Sequence, residues 1–254
     1  MADFVKSNNH APPGFFELEA RGLGWLAVDG GVPCARVIRY DERSLTLERL
    51  ESVAPTREAA RDFGERLAVT HNAGAESFGS GPTGWHGDGY FGPLSEPLPM
   101  SLSGHRTWGA FYAGERLRFM AASADRRLGA DIRRLVDDVI ARCLAGDFDD
   151  DDSPARIHGD LWSGNVMWTR DGVVLIDPAA HGGHRETDLA MLHLFGCPHL
   201  GEVMAGYETA RPLRAGWRDR VGLHQLYPLL AHVALFGSGY VGQTRRAAES
   251  ALAL

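Results

Sequence analysis

A chain of 254 residues with 44% apolar and 23% charged residues holds enough hydrophobic material for a sizeable core, which excludes whole-chain disorder. Acidic residues outnumber basic ones by 33 to 26, a formal net charge of −7, so a basic nucleic-acid surface is not expected. The most apolar stretch, Tyr227 to Val241, is too short for a membrane span and contains His232.

The start, MADFVKSNNHAPPG, lacks the charged-then-apolar layout of a signal peptide. Phe4 to Lys6 reads as the end of a strand. Pro12 and Pro13 suit a helix start, and a helix is expected from Gly14 to Ala27. At helical spacing Phe15, Phe16, Leu23 and Leu26 share one face, and Glu19 falls in its middle. A carboxylate centred on an apolar stripe calls for a cationic partner. Ala35 to Tyr40 and Ser44 to Leu50 read as a hairpin around Asp41-Glu42-Arg43. From Thr56 the pattern turns helical, first over Thr56 to His71. Gly74 to Pro99 is rich in Gly and Pro and reads as a long loop. Ser103 to Met120 and Asp125 to Ala145 read as helices, the second strongly amphipathic. The run DFDDDD, Asp147 to Asp152, lacks the glycine and glutamate of a calcium loop and is expected to be a solvated acidic loop. Cys34, Cys143 and Cys197 are odd in number and far apart, which fits free thiols in a reducing cytoplasm.

The informative stretch is Ile157 to Asp177, IHGDLWSGNVMWTRDGVVLID. Val166 to Thr169 and Val173 to Ile176 are expected to be strands around Arg170-Asp171-Gly172. Pairing Thr169 with Val173 would set Asn165 opposite Asp177, with Cβ atoms about 5 Å apart. An amide oxygen and a carboxylate so placed make a hard-oxygen site for magnesium. Asp160 stands five residues before Asn165. An aspartate, four residues, an asparagine, a hairpin and a second aspartate form the phosphotransferase arrangement of the protein-kinase fold. There the first aspartate accepts the hydroxyl proton, and the other two residues hold the metal on ATP. Taken singly, Asp160 could cap a turn and Asp177 end a strand; their order and spacing favour catalysis. His86-Gly87-Asp88 repeats the tripeptide His158-Gly159-Asp160, but Pro93 stands where the asparagine should be, so a Gly-rich loop without catalysis is expected there.

HGDLWSGNVMW followed by VVLIDPAAHGGHRETDLAML resembles the fructosamine kinase (ketosamine 3-kinase) family, a branch of the aminoglycoside-phosphotransferase-like kinases. The likeness extends to FVKSN…GFFELEARGL, LTLERLES, DGYFGPL, WGAFYAGERL and LYPLLAHVALFGSGY. It implies that Lys6 touches the ATP phosphates and pairs with Glu19. It implies a hinge beside adenine at Glu48, Arg49 and Leu50. Asp160 would be the base, and Asn165 and Asp177 the magnesium ligands. Trp162 would stack on the sugar-amine substrate, with packing as the bland alternative. Glu186 would lie near the substrate, Asp188 would give structural support, and His158 would brace the catalytic loop.

The expected fold is α+β, a bilobal protein-kinase-like architecture. Residues 1–50 would form a partial N-lobe and 51–254 a helical C-lobe. The resemblance implies ATP- and Mg2+-dependent phosphorylation of a ketosamine, small or protein-bound, at the 3-hydroxyl, with deglycation as the outcome. Charge and the lack of a long apolar run imply no nucleic-acid or membrane partner, and the free thiols imply a cytoplasmic location. The rivals are a kinase of another small cationic alcohol, such as an aminoglycoside or choline, and a non-catalytic remnant that binds nucleotide or a partner. Only five residues precede Lys6. The family's two earlier strands and their phosphate-covering loop are therefore expected to be missing, leaving weak ATP use and an edge open to self-association.

Overall fold

The computed structural model describes residues 3–254. The first part is a three-stranded antiparallel sheet with one helix beneath it. Strands β1 (Phe4–Ser7), β2 (Val37–Tyr40) and β3 (Ser44–Leu47) take the order β1-β3-β2. Lys6 lies opposite Leu45 in the ladder. Helix α1 (Phe15–Leu26) fills the space below, where Phe16, Ala20 and Leu23 pack on Leu45 and Leu47. Its buried face is the stripe expected from the spacing, with Glu19 inside it. On the opposite face, Glu17 and Arg21 form an exposed pair one turn apart. The hairpin turns at Asp41–Arg43, but its strands are shorter than expected, because Ala35 and Leu50 lie outside the ladder.

The remainder is mostly helical. Helix α2 (Arg57–Asn72) starts where Thr56 Oγ1 accepts the Ala59 N–H at 3.1 Å, a side-chain N-cap. The segment expected as loop, 74–99, instead contains a short hairpin of β4 (Gly89–Phe91) and β5 (Leu98–Met100). Pro99 is tolerated in β5 because this sheet has two strands, so both are edges. The next helix begins at Trp108 rather than Ser103. It runs as α3 (Trp108–Phe111), a π-helical stretch over Tyr112–Leu117, and α4 (Arg118–Ala124). Helix α5 (Ala130–Ala145) starts five residues later than expected, after a turn at 125–128.

Strands β6 (Ala155–Ile157) and β9 (His181–Gly183) pair with each other, as do β7 (Val166–Thr169) and β8 (Gly172–Leu175). The second pair corrects the expected register. Thr169 pairs with Gly172, the turn is only Arg170-Asp171, and Val166 faces Leu175. Asn165 therefore stands level with Ile176, whose N–H it accepts at 3.2 Å, and not with Asp177.

Helices α6 (Arg185–Leu194), α7 (Leu200–Ala210), α8 (Trp217–Phe236) and α9 (Val241–Leu252) complete the chain. Pro228 lies inside α8. There the Tyr112 hydroxyl enters the helix ladder, donating to Leu223 O at 2.7 Å and accepting the Tyr227 N–H at 3.1 Å. A hydroxyl inserted next to a proline is one of the few causes of a helix irregularity. It couples the π-helical stretch to α8, and both belong to one large buried cluster. A second cluster joins α2, α6 and α7 to the β7–β8 hairpin. Among the described residues, no helix is long and apolar enough to cross a membrane.

Candidate active site

Asp160 lies in the loop between β6 and the 3-10 turn Ser163–Asn165. Three side chains, those of Asp188, His158 and Asn165, fix this loop. Asp188, in the first turn of α6, accepts the backbone N–H of His158 at 2.7 Å and of Gly159 at 2.9 Å. His158 Nδ1 accepts the Asp160 N–H at 3.2 Å, and its Nε2–H donates to Ile176 O at 2.9 Å. An acceptor on one side and a donor on the other fix a neutral imidazole. Burial, which lowers the His158 pKa, favours the same state. Asn165 Nδ2 donates to Asp160 O at 2.8 Å and to Asp160 Oδ2 at 3.3 Å. Burial pushes the Asp160 carboxyl up to about 7; Asn165 opposes this and the Asp177 charge adds to it.

Facing this loop is a second charged group. Lys6 Nζ meets both Glu19 oxygens, at 2.8 and 2.9 Å, and Asp177 Oδ1 at 3.1 Å. Burial opposes the charge on Lys6, but the two carboxylates outweigh it and raise its pKa. The cation expected to partner Glu19 is thus Lys6. Asp177 has φ 54°, one of two non-glycine residues with positive φ among those described. This left-handed turn, two residues past the end of β8, carries Asp177 out of line with the strand, and its carboxylate meets Lys6 although the register misses Asn165. The Asn165 nitrogen is spent on Asp160 and on Asp177 O at 3.4 Å, which leaves its amide oxygen free to ligate.

These groups line one cavity of about 560 Å3. Its charged end holds Lys6, Glu19, Asp160, Asn165 and Asp177. Its other walls are apolar or aromatic and include Tyr90, Leu94, Trp162, Phe195 and His232. Trp162 is 41% exposed and stands edge-on to Phe195 at 6.4 Å. Sequence reasoning found Trp162 but missed Tyr90, in a segment read only as loop, His232, in a stretch noted only for its apolar character, and Phe195, in a segment given no reading. Glu48, Arg49 and Leu50 lie outside this cavity, and the Glu48 carboxylate accepts the Arg36 N–H at 2.9 Å.

Glu186 corrects the expectation that placed it beside the substrate. It is buried away from the cavity, and Arg220 binds both its oxygens at 2.6 and 2.9 Å. Its carboxyl falls to about 2: burial opposes this, but the hydrogen bonds from His224 and Arg220 prevail. Glu186, His184 and His224 are close enough to hold a metal, but the guanidinium already fills that role. The acidic run is a solvated loop only in part: Asp147 and Asp151 are exposed, but Asp150 and Asp152 are paired. Asp152 meets Arg185 at 2.6 Å and Arg211 at 3.2 Å, while Asp150 meets His184 at 3.2 Å and Arg214 at 3.4 Å.

Residues 2–253 match the family described as fructosamine kinase. The probable ketoamine kinase of Synechocystis is 34% identical over 98% of this chain and 82% of its own length. The solved structure of a candidate fructosamine-3-kinase from Thermobifida fusca is 47% identical, with a TM-score of 0.89, over 99% of this chain and 86% of that one. An aminoglycoside phosphotransferase structure aligns at TM-score 0.56 and 17% identity, over 98% and 86% of the two chains. At that identity the likeness is one of fold, and the fold is α+β and protein-kinase-like.

Proposed function

The chain belongs to the fructosamine kinase family, and from that premise we propose that it transfers the γ-phosphate of ATP to the 3-hydroxyl of a ketosamine. The observation that carries this reading is the convergence of Asp160, Asn165, Asp177 and the Lys6–Glu19 pair on one cavity. Asp160 is the base. Its carboxylate faces the cavity, and a pKa near neutrality suits a group that takes a hydroxyl proton. Lys6, held by Glu19, binds the phosphates. Asn165 and Asp177 offer an amide oxygen and a partly exposed carboxylate, a donor set that fits Mg2+. Bound there, Mg2+ neutralises charge on the phosphates; the protein's part is to align the hydroxyl and exclude water.

Trp162 covers the sugar ring. Residues 1–50 act as the nucleotide-side lobe, with Glu48 to Leu50 as its hinge, and 51–254 act as the catalytic lobe. The separate hydrophobic cluster beneath β1–β3 supports that division. The acceptor is a free or protein-bound ketosamine, and loss of the amine from the unstable 3-phosphate gives deglycation.

The test is ADP release with a fructosamine, a ribulosamine, an aminoglycoside and choline, each with and without Mg2+. Turnover with the ketosamines that needs Mg2+ and is lost in Asp177→Ala supports the assignment. Turnover with choline or the aminoglycoside alone overturns the substrate, and no turnover with any of them overturns the activity.

A further inference from the structure

His71 stands in the last turn of α2, with no exposed side-chain surface and no part in lining the cavity. Its two ring nitrogens have different partners. Nδ1 lies 2.8 Å from the Tyr207 hydroxyl, and Nε2 lies 3.2 Å from Asp188 Oδ2. A carboxylate can only accept, so Nε2 carries the hydrogen and Nδ1 takes the one from Tyr207. Asp188 is the residue that holds the N–H groups of His158 and Gly159. Its Oδ2 thus serves the His158 amide and His71 together. Among the described residues, His71 is the one side chain that donates to Asp188.

The geometry is therefore a relay from α7 through α2 and α6 to the loop: Tyr207, His71, Asp188, then the two amides that precede Asp160. If the Asp188 carboxylate turns, both amides are released at once, and the Asp160 N–H follows through His158. We infer that His71 is a positioning residue for phosphoryl transfer: its Nε2–H fixes the Asp188 carboxylate and, through the two loop amides, the place of Asp160. This rests on the reading of Asp160 as the base. A side chain of equal size without that hydrogen would fill the space and leave the carboxylate free to turn.

Two variants separate these roles. His71→Gln carries its amide nitrogen near the place of Nε2 and can still reach Asp188. His71→Asn ends near the place of Nδ1 and cannot. His71→Asn is expected to lower kcat on the order of 10²-fold, the scale of a small misplacement of a reacting group. The KM values for ATP and ketosamine should stay within about twofold. His71→Gln should recover most of kcat. Hydrogen exchange at the His158 and Gly159 amides should quicken in His71→Asn and not in His71→Gln. Wild-type kcat in a folded His71→Asn, or a His71→Gln as impaired as His71→Asn, overturns the inference. If His71→Asn does not fold, Tyr207→Phe takes its place, with a few-fold lower kcat and faster exchange expected; no change in either overturns it. The exchange measurement needs no substrate, so it tests the relay even if no ketosamine is turned over.

Discussion

His158-Gly159-Asp160 and His86-Gly87-Asp88 are the same three residues in two settings. In the first, His158 is buried with both ring nitrogens bonded, and Asp160 is raised to about 7. In the second, all three residues are exposed, and the tripeptide is held mainly by Trp85, whose indole N–H donates to Gly87 O at 3.1 Å and Asp88 O at 3.3 Å. What differs is supplied from far along the chain: Asp188 and Ile176 fix the first loop, and no comparable carboxylate reaches the second among the described residues. Reactivity here belongs to the surroundings of the motif, and the two copies give each test its internal control.

The largest difference is expected in turnover. Asp160→Asn should lower kcat by about 10²–10⁴-fold, the range for a general acid–base group. Asp88→Asn should stay within about twofold of the parent, as expected for an exposed residue that makes no catalytic contact. Steady-state ADP release measures both. Equal losses in the two variants would erase the distinction, and a fully active Asp160→Asn would remove the base.

The sequence revealed the first tripeptide because its asparagine and second aspartate follow at a fixed spacing, and it passed over the second because Pro93 stands in the asparagine's place. Glu19's need for a cation was also legible, since a carboxylate on an apolar helical face calls for one; that the cation is Lys6 was implied only by the family resemblance. Less legible was anything set by partners distant in sequence. Asp150 and Asp152 looked solvated because His184, Arg185, Arg211 and Arg214 lie some thirty to sixty residues away. Glu186 looked available for the same reason, since nothing near it in sequence announces Arg220. The β4–β5 hairpin was hidden by its Gly and Pro content. The register of β7–β8 slipped by one because Gly172, read as a turn residue, pairs in the ladder.

The two glycines sharpen the contrast in stability. Both have positive φ, 81° at Gly159 and 110° at Gly87. A Cβ on Gly159 would stand 2.3 Å from Ala179 O and 2.9 Å from the His181 ring, whereas one on Gly87 would meet nothing within 4 Å. Gly159→Ala therefore adds overpacking to backbone strain and should cost about 2–5 kcal/mol. Gly87→Ala carries the strain alone and should cost about 1–2 kcal/mol. Urea unfolding of both variants checks this, and a Gly159→Ala no less stable than Gly87→Ala contradicts the packing around Asp160.

Acid should weaken the support of the first tripeptide. Helix α6 carries Glu186 as well as Asp188, and Glu186 faces His224 and Arg220. Burial lowers His224 to about 4, against the pull of Glu186. A histidine lowered in the folded state takes up its proton more readily when unfolded, so its contribution fades as pH falls from about 6.5 towards 4. Glu186, lowered to about 2, binds its proton first in the unfolded chain, so its contribution fades from about 4.5 downwards. Both act in the same direction, and the pair's own loss between neutrality and pH 4 should be on the order of 2–3 kcal/mol, while Asp160, raised in the folded state, acts the opposite way over the same range. His224→Gln should flatten the upper part of that slope in urea midpoints measured across the range. A His224→Gln variant with the same pH slope as the parent would rule out the buried His224–Glu186 pair.

The smallest effect is expected from the aromatic that stands two places after each aspartate. Trp162 follows Asp160 and Tyr90 follows Asp88, and both rings line the cavity. Their anchoring differs. Tyr90 donates its hydroxyl to Pro13 O at 2.9 Å and packs against Phe15 at 5.5 Å, so it belongs to the wall beside α1. Trp162 stands edge-on to Phe195, lies over Gly164 and keeps a face partly exposed, next to the base. A ring in that position can lie over a sugar and attract the neighbouring amine cation, an interaction worth about 0.5–2 kcal/mol, or roughly a 2- to 30-fold change in affinity. Trp162→Ala should therefore raise KM for a ketosamine within that range while KM for ATP moves less than about twofold. Tyr90→Phe removes only the Pro13 bond and should shift neither constant by more than about twofold. If Trp162→Ala leaves the ketosamine KM unchanged, the ring is packing against Phe195 and Gly164 and nothing more, and the substrate must be held by the rest of the cavity wall.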